Sequence, residues 1–539
     1  VFAAAAASVV CCAARGQAQG QELWLGVAGG SAHGGVSNSI ALPHGELPDH
    51  APAVGAWHAS VDEQGRTFTA IPSQTPVFDQ QHVYVCGRVM MEFGAAWRLL
   101  AISRETGSVV WAAAIPAPLV DSFSSAAVDV LRQRVLVASA RDVICFDANT
   151  GGEVWRRTLT RNVVNASPIV VDDVAGRGRA FVTDYDGFGV AASLYCINLD
   201  ARSATNPFDP GDLVWRVPIG GASGATPAFL PASEGGVGLV YVATRGEPSF
   251  MPGAIVAYDA HADAAPSPAF ITSNAIDEGF YGTLSVAPPT ADGGAPTLYA
   301  VSYEFYGGLN SANLLAVDGA SGAVRWSVAS NRGGAAPVLL GNGRIAVSAG
   351  VQGFGTLPSV ALYLDRGDHG IELWNSVRDS WIDDDGDGLI DPSECDSVGL
   401  WSYQPIASGD LKLLCVGIAP ESAMLNAFGA SIATVDVSLW PMDRLFCRRT
   451  FGTSGSPAAG RGWFYSIGAN GVAALEMPRI DVNGDGRTTI DDLSAFERGA
   501  VSLDRRDVNG DGLVADGDRN ELLRQLRVHE ASRMTTRRP

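Results

Sequence analysis

Short runs in which apolar and polar residues alternate, broken by Gly, Pro, Asn and Asp, fill most of the chain, and this period of two predicts β-strands rather than helices. The clearest stretch runs from Cys145 to Trp155, C-F-D-A-N-T-G-G-E-V-W. An alternating run ends at Asp, a turn closes with Thr-Gly, and a second run carries Trp four residues after the Gly. Ala101 to Trp111 and Ala316 to Trp326 repeat it, and looser copies lead from Leu364 and Asp365 through Gly370 to Trp374, and from Asn198 through Gly211 to Trp215. Each reads as a β-hairpin in which Gly takes the positive φ of the turn and Asp, Ser or Thr side chains bond the turn backbone. One hairpin alone cannot bury an indole, so the copies are expected to pack on one another.

A small or polar residue before Pro or Ala, followed by an apolar strand, marks repeat starts near Pro76, Ala126, Pro168, Pro227, Pro288, Pro337, Pro405 and Pro457. Pro is tolerated as the first residue of a strand. The second strand of each repeat is legible at Val83–Val85, Val135–Val137, Ala180–Val182, Val240–Val242, Leu298–Val301 and Ile345–Val347. Eight starts predict eight blades. The last repeat, Trp463 to Glu476, has no Trp hairpin after it, so the strand after Trp57, running through Arg66 to Ala70, is expected to pair with it and close the ring.

The x-D-x-x-T-G-x-x-x-W pattern resembles the repeat of the PQQ-like propellers, the architecture of quinoprotein dehydrogenases and of outer-membrane assembly lipoproteins. The resemblance covers roughly residues 57–478 and implies that each Trp docks one blade against the next. The expected fold class is all-β, an eight-bladed β-propeller, with a small α-helical paired calcium-loop domain at its C-terminal side.

Charge refines this picture. The formal net charge is −20, and Lys412 is the sole lysine. Fourteen acids fall in three twelve-residue stretches, leaving about −6 elsewhere, which points to bound cations and away from nucleic acid. Residues 1–18, an apolar run ending Gly16-Gln17-Ala18, read as a secretory signal peptide, with an Ala-rich first helix as the alternative. No later run approaches a membrane span, neither Val10 nor Cys11 is the small residue that a lipoprotein signal needs before its Cys, and a monomer is expected, secreted, extracellular or at the cell surface, with the periplasm as the other compartment. Residues 19–56 show no period. His33, His44, His50 and His58 lie in or beside that lead with no metal-ligand spacing. Of the six cysteines beyond the signal, Cys86, Cys145, Cys196, Cys395, Cys415 and Cys447, Cys145 and Cys196 hold matching repeat positions and read as buried apolar residues.

The first acidic stretch, residues 383–394, has the spacing of a complete calcium loop: Asp383, Asp385 and Asp387 at loop positions 1, 3 and 5, Gly388 at 6, the Leu389 carbonyl at 7, and Asp391 and Glu394 at 9 and 12. It also resembles the D-x-D-x-D-G repeats of thrombospondin type 3. Two further loops follow in residues 479–528. Their expected ligands are Asp481, Asn483, Asp485, Arg487 (carbonyl) and Asp492, then Asp507, Asn509, Asp511, Leu513 (carbonyl) and Asp518, and each loop feeds a short amphipathic helix. Two D-V-N-G-D-G loops in tandem resemble a type I dockerin. That resemblance implies attachment to a cohesin-like partner and a link to polysaccharide breakdown, with selection by Ile490, Asp491, Asp516 and Gly517. Thr488, Ala515 and those four residues depart from the usual pattern, so a calcium-stabilised cap is the equal alternative. Residues 529–539 form a tail.

The expected cofactor is calcium at two or three sites. A quinone site is not expected, because the sole adjacent cysteines, Cys11 and Cys12, lie in the signal and no local motif marks a cofactor floor. The leading expectation is a secreted, non-catalytic propeller that binds a protein or glycan partner; the alternative is a PQQ-dependent alcohol or sugar oxidoreductase with a divergent site.

Overall fold

The computed structural model describes residues 23–37, residues 57–476 apart from short stretches (the longest 186–191, 246–251, 305–311, 420–430 and 438–445), residues 490–498, and residues 519, 520, 522 and 523. Eight antiparallel sheets follow one another along the chain. Their innermost strands are Val77–Phe78, Ala127–Asp129, Ile169–Val171, Ala228–Phe229, Ser285–Ala287, Val338–Leu339, Ile406–Ala407 and Ala458–Gly460. Seven begin at the residue that follows the sequence marker. In the fifth blade the strand precedes Pro288 instead: Leu284 stands where its neighbours have the marker, and Pro288, which has no N–H to continue the ladder, ends the strand.

The ring closes on the N-terminal side of the chain. Trp57–Ala59 is the outer strand of the eighth blade, with Trp57 opposite Ala474 and Ala59 opposite Val472. The expected closing strand therefore stops early. Phe68–Ala70 pairs with His82–Met90 of the first blade, because the turn at Asp62 to Arg66, where the Asp62 carboxylate accepts the N–H groups of Gln64 and Arg66, sends the chain inward.

The Trp hairpins dock as the repeat implies. Trp57 of the eighth blade lies over Gly107 of the first, Trp111 over Gly151 of the second, Trp155 over Gly211 of the third and Trp326 over Gly370 of the sixth; a Cβ on any of these glycines would sit 2.6–2.8 Å from the indole. The indole N–H groups of Trp57, Trp111 and Trp215 reach the carbonyls of Arg104, Ala148 and Ala262 in the next blade at 2.8, 3.1 and 2.9 Å. Blade four has no Trp at this place, and Phe270 covers Gly322 instead.

The small polar residues that announce each blade form a belt. The N–H of Thr75 is given to the Ser125 hydroxyl, that of Ser125 to Ser167, that of Ser167 to Thr226 and that of Thr226 to Thr283, at 2.8, 2.8, 3.0 and 3.2 Å. The Thr283 N–H goes to the Gly334 carbonyl. The Ala336 N–H goes to Gln404 Oε1, the Gln404 N–H to Ser456 Oγ, and the Ser456 hydroxyl to the Ser73 carbonyl. Each side chain thus satisfies a buried N–H of the neighbouring blade, which would otherwise be left without a partner.

Residues 24–37 follow the same circle three residues further along the innermost strands. The carbonyls of Trp24, Leu25, Ser31, Ala32, Gly34 and Gly35 accept the N–H groups of Phe78, Val128, Phe229, Val286, Leu339 and Ala407 at 2.7–2.9 Å. Ser37 Oγ ends the row at the Ala459 carbonyl. The strap touches seven blades in chain order, and Trp24 and His33 are fully buried in it.

Candidate metal centre and the face that carries it

The segment joining the outer strand of blade six, Gly370–Asn375, to the innermost strand of blade seven, Ile406–Ala407, lies at the face where innermost strands begin. It holds residues 383–394. Carboxylate oxygens of Asp383, Asp385 and Asp387 lie within 4.8 Å of one another. The fold of the loop brings them there. Gly386 and Gly388 take φ of +76° and +73°, the Gly386 and Gly388 N–H groups bond the Asp383 carboxylate, and Glu394 turns back to accept the N–H groups of Asp384 and Asp385. Those backbone N–H groups hold the Glu394 carboxyl below its usual range. Trp381 donates its indole N–H to the same carboxylate at 3.3 Å, and the Ile382 N–H bonds the Glu394 carbonyl.

Three exposed carboxylates turned toward one point, with a fourth folded over the loop, suit an oxygen-seeking divalent cation such as calcium. Asp383, Asp385, Asp387 and Glu394 would supply carboxylate oxygens and Leu389 its carbonyl. Asp391 is drawn in through its N–H to Glu394. The loop also bounds a cleft of about 410 Å³, where Ile390 faces Asn331, Ser359, Asn375 and Arg378.

The C-terminal loops, with Asp481, Asn483, Asp485, Arg487, Asp507, Asn509, Asp511, Leu513, Asp516, Gly517 and Asp518, lie outside the described residues. Ile490 begins the helix Ile490–Arg498, is exposed, and is followed by Asp491 and Asp492. Within this segment Ala495 and Leu522 are buried and Arg519 pairs with Glu497 at 2.9 Å.

A second group, not evident in the sequence, lies on blades four to seven. Glu278 is buried and accepts Ser302 Oγ at 2.5 Å and Asn313 Nδ2 at 2.9 Å. Tyr281 stacks on Tyr303 at 4.6 Å between ring centroids, and Trp401 meets Tyr303 edge-on, donating its indole N–H to the phenol oxygen at 2.7 Å. The Arg245 guanidinium lies over Tyr281. A planar quinone needs a slot beside a flat ring. The described rings at this corner are packed on one another, so these residues do not fit a quinone between them. Distance in sequence hid the group: its members come from five separate loops and strands.

Cys86, Cys145, Cys196, Cys395 and Cys415 are buried thiols outside any disulfide. Burial pushes Cys86 and Cys145 up to about 12, so they are apolar filling and not nucleophiles.

A family model described as outer membrane protein assembly factor BamB matches residues 95–305. No curated protein matches the sequence. Among solved structures, the quinohemoprotein alcohol dehydrogenase of Comamonas testosteroni is 12% identical with 96% of each chain covered and a TM-score of 0.53. A europium-containing methanol dehydrogenase is 12% identical over 83% of this chain and 90% of its own, with a TM-score of 0.51. Quinohemoprotein alcohol dehydrogenase ADHIIG of Pseudomonas putida HK5 is 13% identical over 84% and 76%, with a TM-score of 0.50. At such identities the likeness is one of fold. The chain has the PQQ-like β-propeller fold, with eight blades.

Proposed function

We propose that this chain is a secreted, non-catalytic propeller that binds a protein or glycan partner on the face carrying residues 383–394, with calcium fixing that loop and a C-terminal dockerin-like module serving for attachment or as a cap. The convergence of Asp383, Asp385 and Asp387 carries this reading. Bringing three carboxylates together without a cation is costly, and an ion that binds only the folded loop stabilises it by mass action. The adjoining cleft, walled by amide and hydroxyl side chains together with Ile390, has the mixed polar and apolar lining that hydroxyl-rich ligands take.

A glycan array probed with the full chain, with calcium and then with EDTA, tests the reading. Calcium-dependent binding is expected, and calcium-independent binding would detach the loop from recognition. The fold likeness to quinohemoprotein alcohol dehydrogenases supports the competing oxidoreductase reading. Reconstitution with pyrroloquinoline quinone and calcium, followed by a dye-linked assay on alcohols and sugars, separates the two: turnover would overturn the binding-protein reading.

A further inference from the structure

Residues 24–37 satisfy hub N–H groups of six blades through backbone carbonyls, and His33 is the one titratable side chain among them. Its ring is fully buried. Nδ1 lies 2.9 Å from the Val27 carbonyl oxygen of the strap, and Nε2 lies 2.8 Å from the Pro227 carbonyl oxygen of the fourth blade. The fifth blade meets the same residue through Ser285, whose hydroxyl donates to the His33 carbonyl. Apart from those two carbonyls, no carboxylate, Arg or other titratable group acts on the ring among the described residues.

This seat suits neither protonation state fully. A neutral imidazole has one N–H for two acceptors, so one ring nitrogen faces an oxygen lone pair. The imidazolium would bond both carbonyls but would sit buried with no counter-charge among the described residues. The charge-assisted hydrogen bonds gained on protonation offset only part of the cost of burying an unpaired ion. Desolvation wins, and burial holds His33 below its ordinary value although both carbonyls pull it up.

We propose that Trp24–Ser37 is an acid-releasable strap across the hub, with His33 as its latch. Once released, the side chain takes a proton near pH 6.5; seated, it does so only at lower pH. The seated strap therefore keeps its full hold above about pH 6.5 and loses hold as pH falls below that, by up to about tenfold per pH unit until the seated His33 itself titrates. Release uncovers the N–H groups of Phe78, Val128, Phe229, Val286, Leu339 and Ala407 that line the hub.

Hydrogen exchange of the full chain at pH 7.5 and pH 5.0, corrected for intrinsic rates, is the test. Peptides covering 24–37 and these six N–H groups are expected to exchange at least several-fold faster at pH 5.0, while second and third strands hold. His33→Asn removes the titration, and Asn tolerates the left-handed φ of +56° at this position, so its exchange should not depend on pH. Equal protection of the wild-type strap at both pH values, or the same acceleration in His33→Asn, would overturn the proposal. Should the variant fail to fold, titration of the wild-type His33 ring by NMR with labelled histidine decides: a midpoint below 6.5 supports the latch, and one at or above 6.5 refutes it.

Discussion

Glycine is required at the indole seats of Trp57, Trp111 and Trp155 for two separate reasons, and at Gly370 for the steric one alone. At Gly151, φ is +69°, which L side chains rarely adopt, and a Cβ would lie 2.6 Å from the Trp111 ring. Gly151→Ala is expected to cost about 2–4 kcal/mol by adding backbone strain to a steric clash, and Trp111→Ala about 3–5 kcal/mol. Because both act on one seat, the double variant should lose less than the two losses added together; urea unfolding of the four proteins checks it, and strict additivity would show that the seat is not shared. The aspartates of the same turns set an acid limit. Burial works against it, but Arg325 and the turn N–H groups of Ala320 and Ser321 bring Asp318 down to about 2. A lowered carboxylate stabilises the fold above its unfolded value, here 3.8, and that contribution is lost as pH falls toward 2. Asp318→Asn should therefore lower the melting temperature at pH 5 and converge with wild type near pH 2; a constant gap at both pH values would contradict this.

Among the elements, those held by side chains were legible in the sequence and those held by backbone were not. The Asp, Thr-Gly and Trp positions recur because each side chain does one job in each blade, so five hairpins and seven of eight innermost strands could be placed from spacing alone. Trp57–Ala59 and Phe68–Ala70 are both three-residue strands, and nothing in either says which sheet it joins; the Asp62 turn decides that. The strap bonds through carbonyls that every residue owns, and the run of small residues from Gly26 to Gly35 was its one trace. The convergence of Asp383, Asp385 and Asp387 was legible in the sequence, because their alternate spacing in a Gly-broken loop turns the three carboxylates to one side. The loop's hold on the fold is testable: EDTA at neutral pH is expected to lower the melting temperature by about 3 °C, since an ion at a hundredfold its Kd contributes about 2.7 kcal/mol and about 1 kcal/mol shifts a domain of this size by roughly 1 °C. In a variant with Asp383, Asp385 and Asp387 all changed to Asn, the remaining EDTA effect should be smaller. An identical effect in both would place the responsible ions elsewhere.

At the scale of the molecule, the hub is lined by the strap, and the face where innermost strands begin carries the acidic loop and its cleft. Both clasps, the strap at the hub and Trp57–Ala59 at the rim, come from the same end of the chain, so the ring is tied twice by residues that precede its first blade. On the reading proposed above, this division leaves the loop-bearing face for recognition. It also explains how a chain 12% identical to a quinohemoprotein alcohol dehydrogenase keeps the same ring: indole seats, turn carboxylates and a hydroxyl belt specify the blades, and none of them specifies a ligand. Calorimetric titration of the full chain with calcium tests the claim on which the functional reading depends. Two or three bound ions, with one lost when Asp383, Asp385 and Asp387 are replaced by Asn, is the expected result; no binding heat, or an unchanged stoichiometry in that variant, would contradict it.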